Sequence, residues 1–149
     1  MRLHLTETEP FAWAANWADS QGETLGNVTA IDPDGCQDWP HRALYAVAAA
    51  SADHSDDCDG LPEEIELCLT EAQWAAIGNF RARLERGPWK GEAATLAAAL
   101  IRRGVRVRCV TSSQRERAWM QDLGCQVAVT EWSIGRGGVA TLLAGVGRG

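Results

Sequence analysis

Three acidic residues stand where predicted secondary-structure elements begin or end. Glu7 follows MRLHLT, whose alternation predicts a short strand, Asp53 follows the apolar segment 43–51, and Glu92 opens the alanine-rich helical segment EAATLAAALIRR. In a parallel α/β sheet, the carboxyl ends of the strands and the loops after them form the crevice for ligands. If the three carboxylates meet there, they repel each other unless a divalent cation neutralises them. Hard ions such as Mg²⁺ or Mn²⁺ suit oxygen ligands, so the set predicts metal-assisted phosphodiester hydrolysis.

The second half of the chain carries the clearest element signals. Thr70 with Gln73 fits a capping box that opens a helix, and Gly87-Pro88 must end it. After the alanine-rich helix, VRVRCV alternates as a strand, and Ser113 with Glu116 forms a second capping box. The helix that follows stops at Gly124, and CQVAVTEW is the next predicted strand. This alternation with short connections predicts a single α/β domain over residues 1–149, with helices on a parallel sheet.

The first half is less regular. After Pro10, FAWAANWA predicts a short helix, and residues 28–31 are a candidate strand. The apolar segment 43–51 fits either a buried strand or a helix. The acid-rich stretch that follows it, up to residue 64, predicts an exposed turn region. Core packing on predicted helix faces accounts for four tryptophans, namely Trp13, Trp17, Trp74 and Trp119.

Composition narrows the class of protein. With 149 residues, 46% of them hydrophobic, the chain can bury one core, and it has neither a membrane-length apolar run nor a signal-peptide layout. A cytoplasmic protein without membrane contact is therefore expected. Residues 1–77 hold 2 Lys/Arg against 15 Asp/Glu, whereas residues 78–149 hold 12 against 5. Five cysteines without a C-x-x-C pair favour neither a zinc cluster nor a disulfide framework.

Other common sites lack their patterns. GPWKGEAATLA matches neither glycine-rich phosphate loop, and DPDGCQDW is a broken calcium loop that favours a turn at Pro33. No G-x-S-x-G elbow exists, and the three histidines are scattered. The segment GVRVRCVTSSQRERAWMQDLGCQVAV is similar to the second βαβ step of medium-chain dehydrogenases, which leaves a Rossmann-like nucleotide-binding domain as an alternative.

Four segments taken in order resemble PIN domains, a family that includes the toxin ribonucleases of bacterial toxin–antitoxin pairs. MRLHLTETEPFAWAANW is similar to the family's first strand and the helix after it, with Glu7-Thr8 for the usual Asp-Thr. LYAVAAASAD resembles the segment that ends in the second acid, Asp53. KGEAATLAAALIRRGVRVRCVTSS resembles the third-acid helix and its strand, with Glu92 as the acid, and RERAWMQDLGCQV is similar to the next helix.

The resemblance implies a three-layer sandwich with a central, mostly parallel sheet flanked by helices. It implies a metal-dependent endoribonuclease in which Glu7, Asp53 and Glu92 hold Mg²⁺ or Mn²⁺ and the metal activates a water that attacks phosphorus. RNA is then the substrate, a protein such as an antitoxin is a candidate partner, and a homodimer is a further candidate. The residues expected to contact the RNA lie around the turn after VRVRCV: Ser112, Ser113, Arg115 and Arg117.

One departure opens a second interpretation. The family's fourth acid is expected just after Val110-Thr111, and this chain has Ser112-Ser113 there. Fewer carboxylates lower the affinity for a metal, so the alternative is an RNA-binding or protein-interaction module that keeps the fold without catalysis. Other arginines of the second half are candidates for contacts to the RNA backbone: Arg81, Arg83, Arg102, Arg103, Arg106 and Arg108.

Overall fold

A computed structural model of the chain describes residues 1–10, 12–19, 21–32, 38–58, 64–89, 91–125 and 133–134. These residues form six strands and five helices. In chain order they are β1 (Arg2–Glu9), β2 (Ala12–Ala18), β3 (Thr24–Ile31), α1 (Trp39–Cys58), β4 (Ile65–Leu69), α2 (Glu71–Ile77), α3 (Phe80–Arg86), α4 (Glu92–Arg103), β5 (Val107–Thr111), α5 (Gln114–Cys125) and β6 (Ser133–Ile134).

All the strands belong to one mixed sheet with the order β5-β4-β1-β2-β3-β6. β1, β4 and β5 are parallel neighbours, and the two-residue β6 pairs in parallel with β3. β2 runs antiparallel to both β1 and β3. The α/β class is thus confirmed. Five of the six described strands run in one direction and β2 alone runs against them, so the sheet is mostly parallel as predicted, with an antiparallel meander from β1 to β3.

The helix predicted after Pro10 is wrong, because Ala12–Ala18 is the central strand β2. An apolar run buried on both faces fits a helix and an inner strand equally well, so its periodicity did not decide between them. In the strand, Trp13 and Trp17 lie on one face and are almost fully buried. The prediction that they belong to the core is therefore right, although they reach it from a strand.

The open segment 43–51 is the first part of α1, which continues to Cys58. The predicted exposed turn is therefore wrong for residues 51–58, and residues 59–63 lie outside the described part of the chain. Residues 46–50 of α1 are all fully buried, and all of them are alanine apart from Val47. This smooth surface lets the helix pack closely on the sheet.

The helix predicted from Thr70 is divided into α2 and α3. Gly78 has φ 65°, a conformation that glycine adopts without strain, and Asn79 accepts from the Ala82 N–H to start the second helix. The capping box of Thr70 and Gln73 is confirmed. The helix 92–103, the strand after it and the helix that starts at Gln114 are confirmed as α4, β5 and α5. The predicted strand CQVAVTEW covers residues 125–132. Its first residue, Cys125, is the last residue of α5, and residues 126–132 lie outside the described part of the chain.

Alternate residues of β1 face two different helix layers. Leu3 and Leu5 belong to the hydrophobic core with α1, whereas His4 contacts Glu116 and Trp119 of α5. Helices therefore cover both faces of the sheet, as a three-layer arrangement requires. None of the helices in the described ranges has the length and apolar character needed to cross a membrane.

Candidate functional site

Glu7, the first predicted metal ligand, is paired with an arginine. It lies near the end of β1, is 48% exposed, and accepts from Nη1 of Arg42 at 3.0 Å. The same guanidinium donates to both carboxylate oxygens of Asp32, at 2.9 and 2.6 Å, and Arg42 and Asp32 are each 1% exposed. Burial lowers the pKa of Arg42, but the hydrogen bonds to Asp32 and Glu7 outweigh it and the pKa is raised. Glu7 thus shares the single charge of Arg42 with the buried Asp32.

Asp53, the second predicted ligand, lies far from Glu7. It is on α1, where Nε1 of Trp17 donates to its Oδ2 at 2.7 Å. Trp17 is paired with Leu3 in the sheet, whereas Glu7 is paired with Trp13, so the two sites are four strand positions apart. That separation is about 13 Å at the usual rise of a strand. The eleven helical steps from Arg42 to Asp53 correspond to about 16 Å along α1.

Glu92, the third predicted ligand, is exposed as the first residue of α4. That helix packs on α1 and α3. Among the described residues, one group of three metal-ligating side chains has its donor atoms within 4.8 Å of one another, and it contains none of the three predicted acids. The predicted Mg²⁺ or Mn²⁺ set does not converge, so we derive no hydrolytic step from it.

The four residues predicted to contact RNA surround the turn between β5 and α5. Ser112 is buried, and its hydroxyl and its N–H both donate to the Leu69 carbonyl. Ser113 forms the predicted capping box with Glu116. Arg117 donates to the Ser112 carbonyl at 2.8 Å, and Arg115 is exposed on α5. Three of the four side chains therefore have partners that stabilise the start of α5.

The group that does converge is His4, Cys68 and Glu116, which lies between the sheet and α5. His4 and Cys68 are direct neighbours on β1 and β4, and both are more than nine-tenths buried. Nε2 of His4 contacts the carboxylate of Glu116, and the rings of His4 and Trp119 are nearly perpendicular, with their centroids 5.4 Å apart. We call this group the His4 cluster.

Arg2 places a positive charge next to the His4 cluster. Its guanidinium donates to Glu116 through Nε and Nη2 and to Glu66 through Nη1 at 2.9 Å. Burial raises the pKa of Glu116, but hydrogen bonds from His4, from the Ser113 N–H and from Arg2 outweigh it and lower the pKa to about 2. Burial also raises the pKa of the Cys68 thiol to about 12. Without a metal, Glu116 is therefore ionised and Cys68 is a neutral thiol at pH 7.

The low pKa of Glu116 predicts a loss of stability in acid. A carboxyl whose folded-state pKa lies below its ordinary value of 4.5 stabilises the fold above that pH, and the contribution disappears as pH falls towards 2. In chelator-treated protein we expect the free energy of unfolding in urea to fall between pH 5 and pH 2, with Glu116 supplying on the order of 3 kcal/mol. Glu116→Gln should be less stable at pH 7 and should lack that part of the pH dependence; equal pH profiles for the two proteins would contradict the assignment.

A separate groove runs beside β5, at the edge of the described sheet. It encloses about 620 Å³ between α3, the end of α4 and β5. Its apolar lining includes Trp74, Leu84 and Ile101, and Ile101 is exposed. The charged residues of the lining are three arginines and two glutamates: Arg81, Arg106, Arg108, Glu64 and Glu85. We call this feature the arginine groove.

The chain matches no family model, no curated protein and no solved structure in the three comparisons made. The resemblance to PIN domains therefore keeps the status of a prediction from the residues. Because neither a fold relative nor a sequence relative assigns a function, any function has to be argued from the chemistry of the arginine groove and of the His4 cluster.

Sequence reasoning found the arginines of the groove but missed the His4 cluster. The arginines were visible because they are concentrated in the second half of the chain. The three members of the cluster lie at positions 4, 68 and 116 and meet only through the pairing of β1 with β4 and the docking of α5. The strand that carries Cys68 was not predicted, and the three histidines are scattered in the sequence, so no local pattern joined His4 to Cys68.

Proposed function

We propose that this chain is an RNA-binding α/β domain and that single-stranded RNA binds along the arginine groove. The observation that carries the proposal is that three arginines line one groove. They are Arg81 of α3, Arg106 just before β5, and Arg108 of β5. Arginine is suited to phosphate because its planar guanidinium presents several donors in a fixed geometry. A backbone with repeated phosphates can contact such a row without any need for a particular sequence.

The surroundings of the groove strengthen its positive character. Arg102 and Arg103 occupy the last turn of α4, next to the groove residues Ile101 and Gly104. The glutamates lessen the field locally, since Arg108 pairs with Glu64 at 3.3 Å and with Glu66 at 3.4 Å. The pair with Glu64 is exposed on both sides, and exposed ion pairs contribute little and exchange readily with another anion. A phosphate group can therefore replace a glutamate as the partner of Arg108.

The proposal retains the RNA-binding part of the PIN-like prediction and leaves out cleavage by Glu7, Asp53 and Glu92. The pairing of Glu7 with Arg42, and the distance along α1 from there to Asp53, support this choice. Since Asp53 lies about 16 Å from Arg42 along α1, Glu7 has no Asp53 carboxylate beside it with which to share a cation. Binding through arginines needs none of these three acids.

Fluorescence anisotropy with a labelled single-stranded RNA, measured over a range of salt concentrations, tests the proposal. Each arginine–phosphate contact contributes about 0.7 to the slope of log K against log salt for a single strand, so the three groove arginines should contribute about 2. Replacing Arg81, Arg106 and Arg108 by Gln together is expected to weaken binding and to reduce the slope by that amount. Arg86→Gln is the matched control, because it removes an exposed arginine of α3 that does not line the groove and should leave the slope nearly unchanged.

The open edge of the sheet favours a second candidate, a noncatalytic protein-interaction module. Among the described strands, β5 pairs with β4 alone, so an extended peptide can add to its other side next to the arginine groove. The charge of the groove then selects an acidic peptide. RNA binding with an unchanged slope in the triple variant, or no RNA binding at all, rejects the leading proposal, and binding of an acidic peptide in the same assay would then support this one.

A further inference from the structure

We propose that His4, Cys68 and Glu116 bind one zinc ion between the sheet and α5. An imidazole nitrogen, a thiolate sulfur and a carboxylate oxygen are the three kinds of ligand that zinc takes in proteins. Their donor atoms already lie within 4.8 Å of one another, and two of the three side chains are nine-tenths buried or more. The inference does not depend on RNA binding, because the His4 cluster and the arginine groove share no residue.

Buried polar atoms without partners mark the same face of the sheet. Among the described residues, Nδ1 of His4 has no hydrogen-bond partner, and neither has Oδ1 of Asn16, which is paired with His4 across β1 and β2. Asn16 is almost fully buried. Buried polar atoms are rarely left without a partner unless a water or an ion supplies the missing contact. A zinc ion with three protein ligands normally keeps a water in its fourth position, and such a water also needs an acceptor.

The charges around the His4 cluster balance once zinc is bound. The Cys68 thiolate and the Glu116 carboxylate together neutralise Zn²⁺, and Glu66 neutralises Arg2. Arg2 and the Ser113 N–H hold the Glu116 carboxylate in place, as the outer partners of metal ligands commonly do. The soft sulfur ligand also makes the site selective for zinc over Mg²⁺, because Mg²⁺ prefers oxygen ligands.

Binding must release a proton from Cys68. The thiol is protonated in the metal-free protein, so formation of the Zn–S bond breaks the S–H bond and sends its proton to solvent. Glu116 is already ionised and has none to release. The contact between His4 and Glu116 is replaced by a bond from each side chain to the metal. Calorimetry in two buffers that differ in ionisation enthalpy measures this proton directly.

Titration of chelator-treated protein with ZnCl₂, and separately with Co²⁺, tests the proposal. We expect one zinc per chain, at least one proton released per zinc, and a Co²⁺ spectrum with a thiolate-to-metal absorption band. A chain in which Cys68 is the sole cysteine, the other four being replaced by Ser, should keep both binding and the band. Cys68→Ser should weaken zinc binding by more than the ~10–100-fold that the loss of an outer partner costs.

Cys109→Ser is the matched control, because Cys109 is also a free cysteine and lies outside the His4 cluster. It should bind zinc like the unaltered chain. Glu116→Gln, which keeps the shape of the side chain, provides a second variant if Cys68→Ser fails to fold. Absence of stoichiometric zinc binding, absence of the thiolate band in the chain whose sole cysteine is Cys68, or unchanged affinity in Cys68→Ser would each overturn the proposal.

Discussion

Replacing Arg42 by Met is expected to lower the free energy of unfolding by about 3–5 kcal/mol, because the change leaves a buried carboxylate without its partner. Asp32 is 1% exposed and receives two hydrogen bonds from the guanidinium. Without Arg42, this charge must stay unpaired in the interior or take up a proton. Arg42 also lies over the ring of Trp39 at 4.7 Å, so the variant loses a cation–π contact as well. Urea denaturation of the purified variant at pH 7 measures the difference.

The partners of Arg42 provide internal controls for this prediction. Glu7→Gln removes a carboxylate that is about half exposed, and it should cost about 1 kcal/mol or less. Arg81→Met removes an exposed arginine and should change stability by no more than about 0.5 kcal/mol. Combining Arg42→Met with Asp32→Leu replaces the buried pair by apolar side chains and should recover most of the loss. A single variant that loses less than about 1 kcal/mol, or a double variant without recovery, contradicts this account of the pair.

The fold was predictable from the sequence wherever the signal is local. The capping boxes at Thr70 and at Ser113 fixed the starts of α2 and α5, because each depends on residues three positions apart. Arginines followed by Gly104 marked the end of α4, where that glycine has a left-handed conformation. Gly78 was the exception, since a glycine inside a helical pattern does not itself show whether the helix ends there.

The functional sites were less predictable, because they depend on which strands become neighbours. The prediction for Glu7 and Asp53 rested on both residues lying at the same edge of a parallel sheet. Asp53 instead lies well inside α1, where it accepts from Trp17 on the antiparallel strand β2. The periodicity of the short apolar run 43–51 fits a buried strand as well as a helix, so it could not tell at which end of the sheet Asp53 would lie.

The same ambiguity hid the role of Arg42. It was not among the candidate residues, because it is one of two basic residues in an acidic half of the chain and has no motif around it. Its importance follows from the first turns of α1, which place it against both Asp32 and Glu7. A lone basic residue among many acids is a feature that sequence reasoning can use, since a buried carboxylate nearly always needs a positive partner.

Trp17→Ala is expected to destabilise the fold by about 3–5 kcal/mol, because Trp17 is 1% exposed and its ring fills the space between β2 and α1. The ring rests against Gly26, its partner on β3, where a Cβ atom would lie 2.7 Å from Nε1 of Trp17 and from Oδ2 of Asp53. This close approach explains why a glycine stands within the strand. It also shows that the indole and the Asp53 carboxylate are packed as one unit.

Trp17→Phe separates the packing of the ring from its hydrogen bond to Asp53. The phenyl ring keeps most of the apolar contact but lacks the donor, and a hydrogen bond to a charged group contributes about 1.5–3 kcal/mol. We therefore expect a smaller loss than for Trp17→Ala. Leu25→Ala on β3 is the control, because Leu25 is exposed and its truncation should change stability by about 0.5 kcal/mol or less. If Trp17→Phe were as stable as the unaltered chain, Asp53 would not depend on the indole, and its structural role would have to be reconsidered.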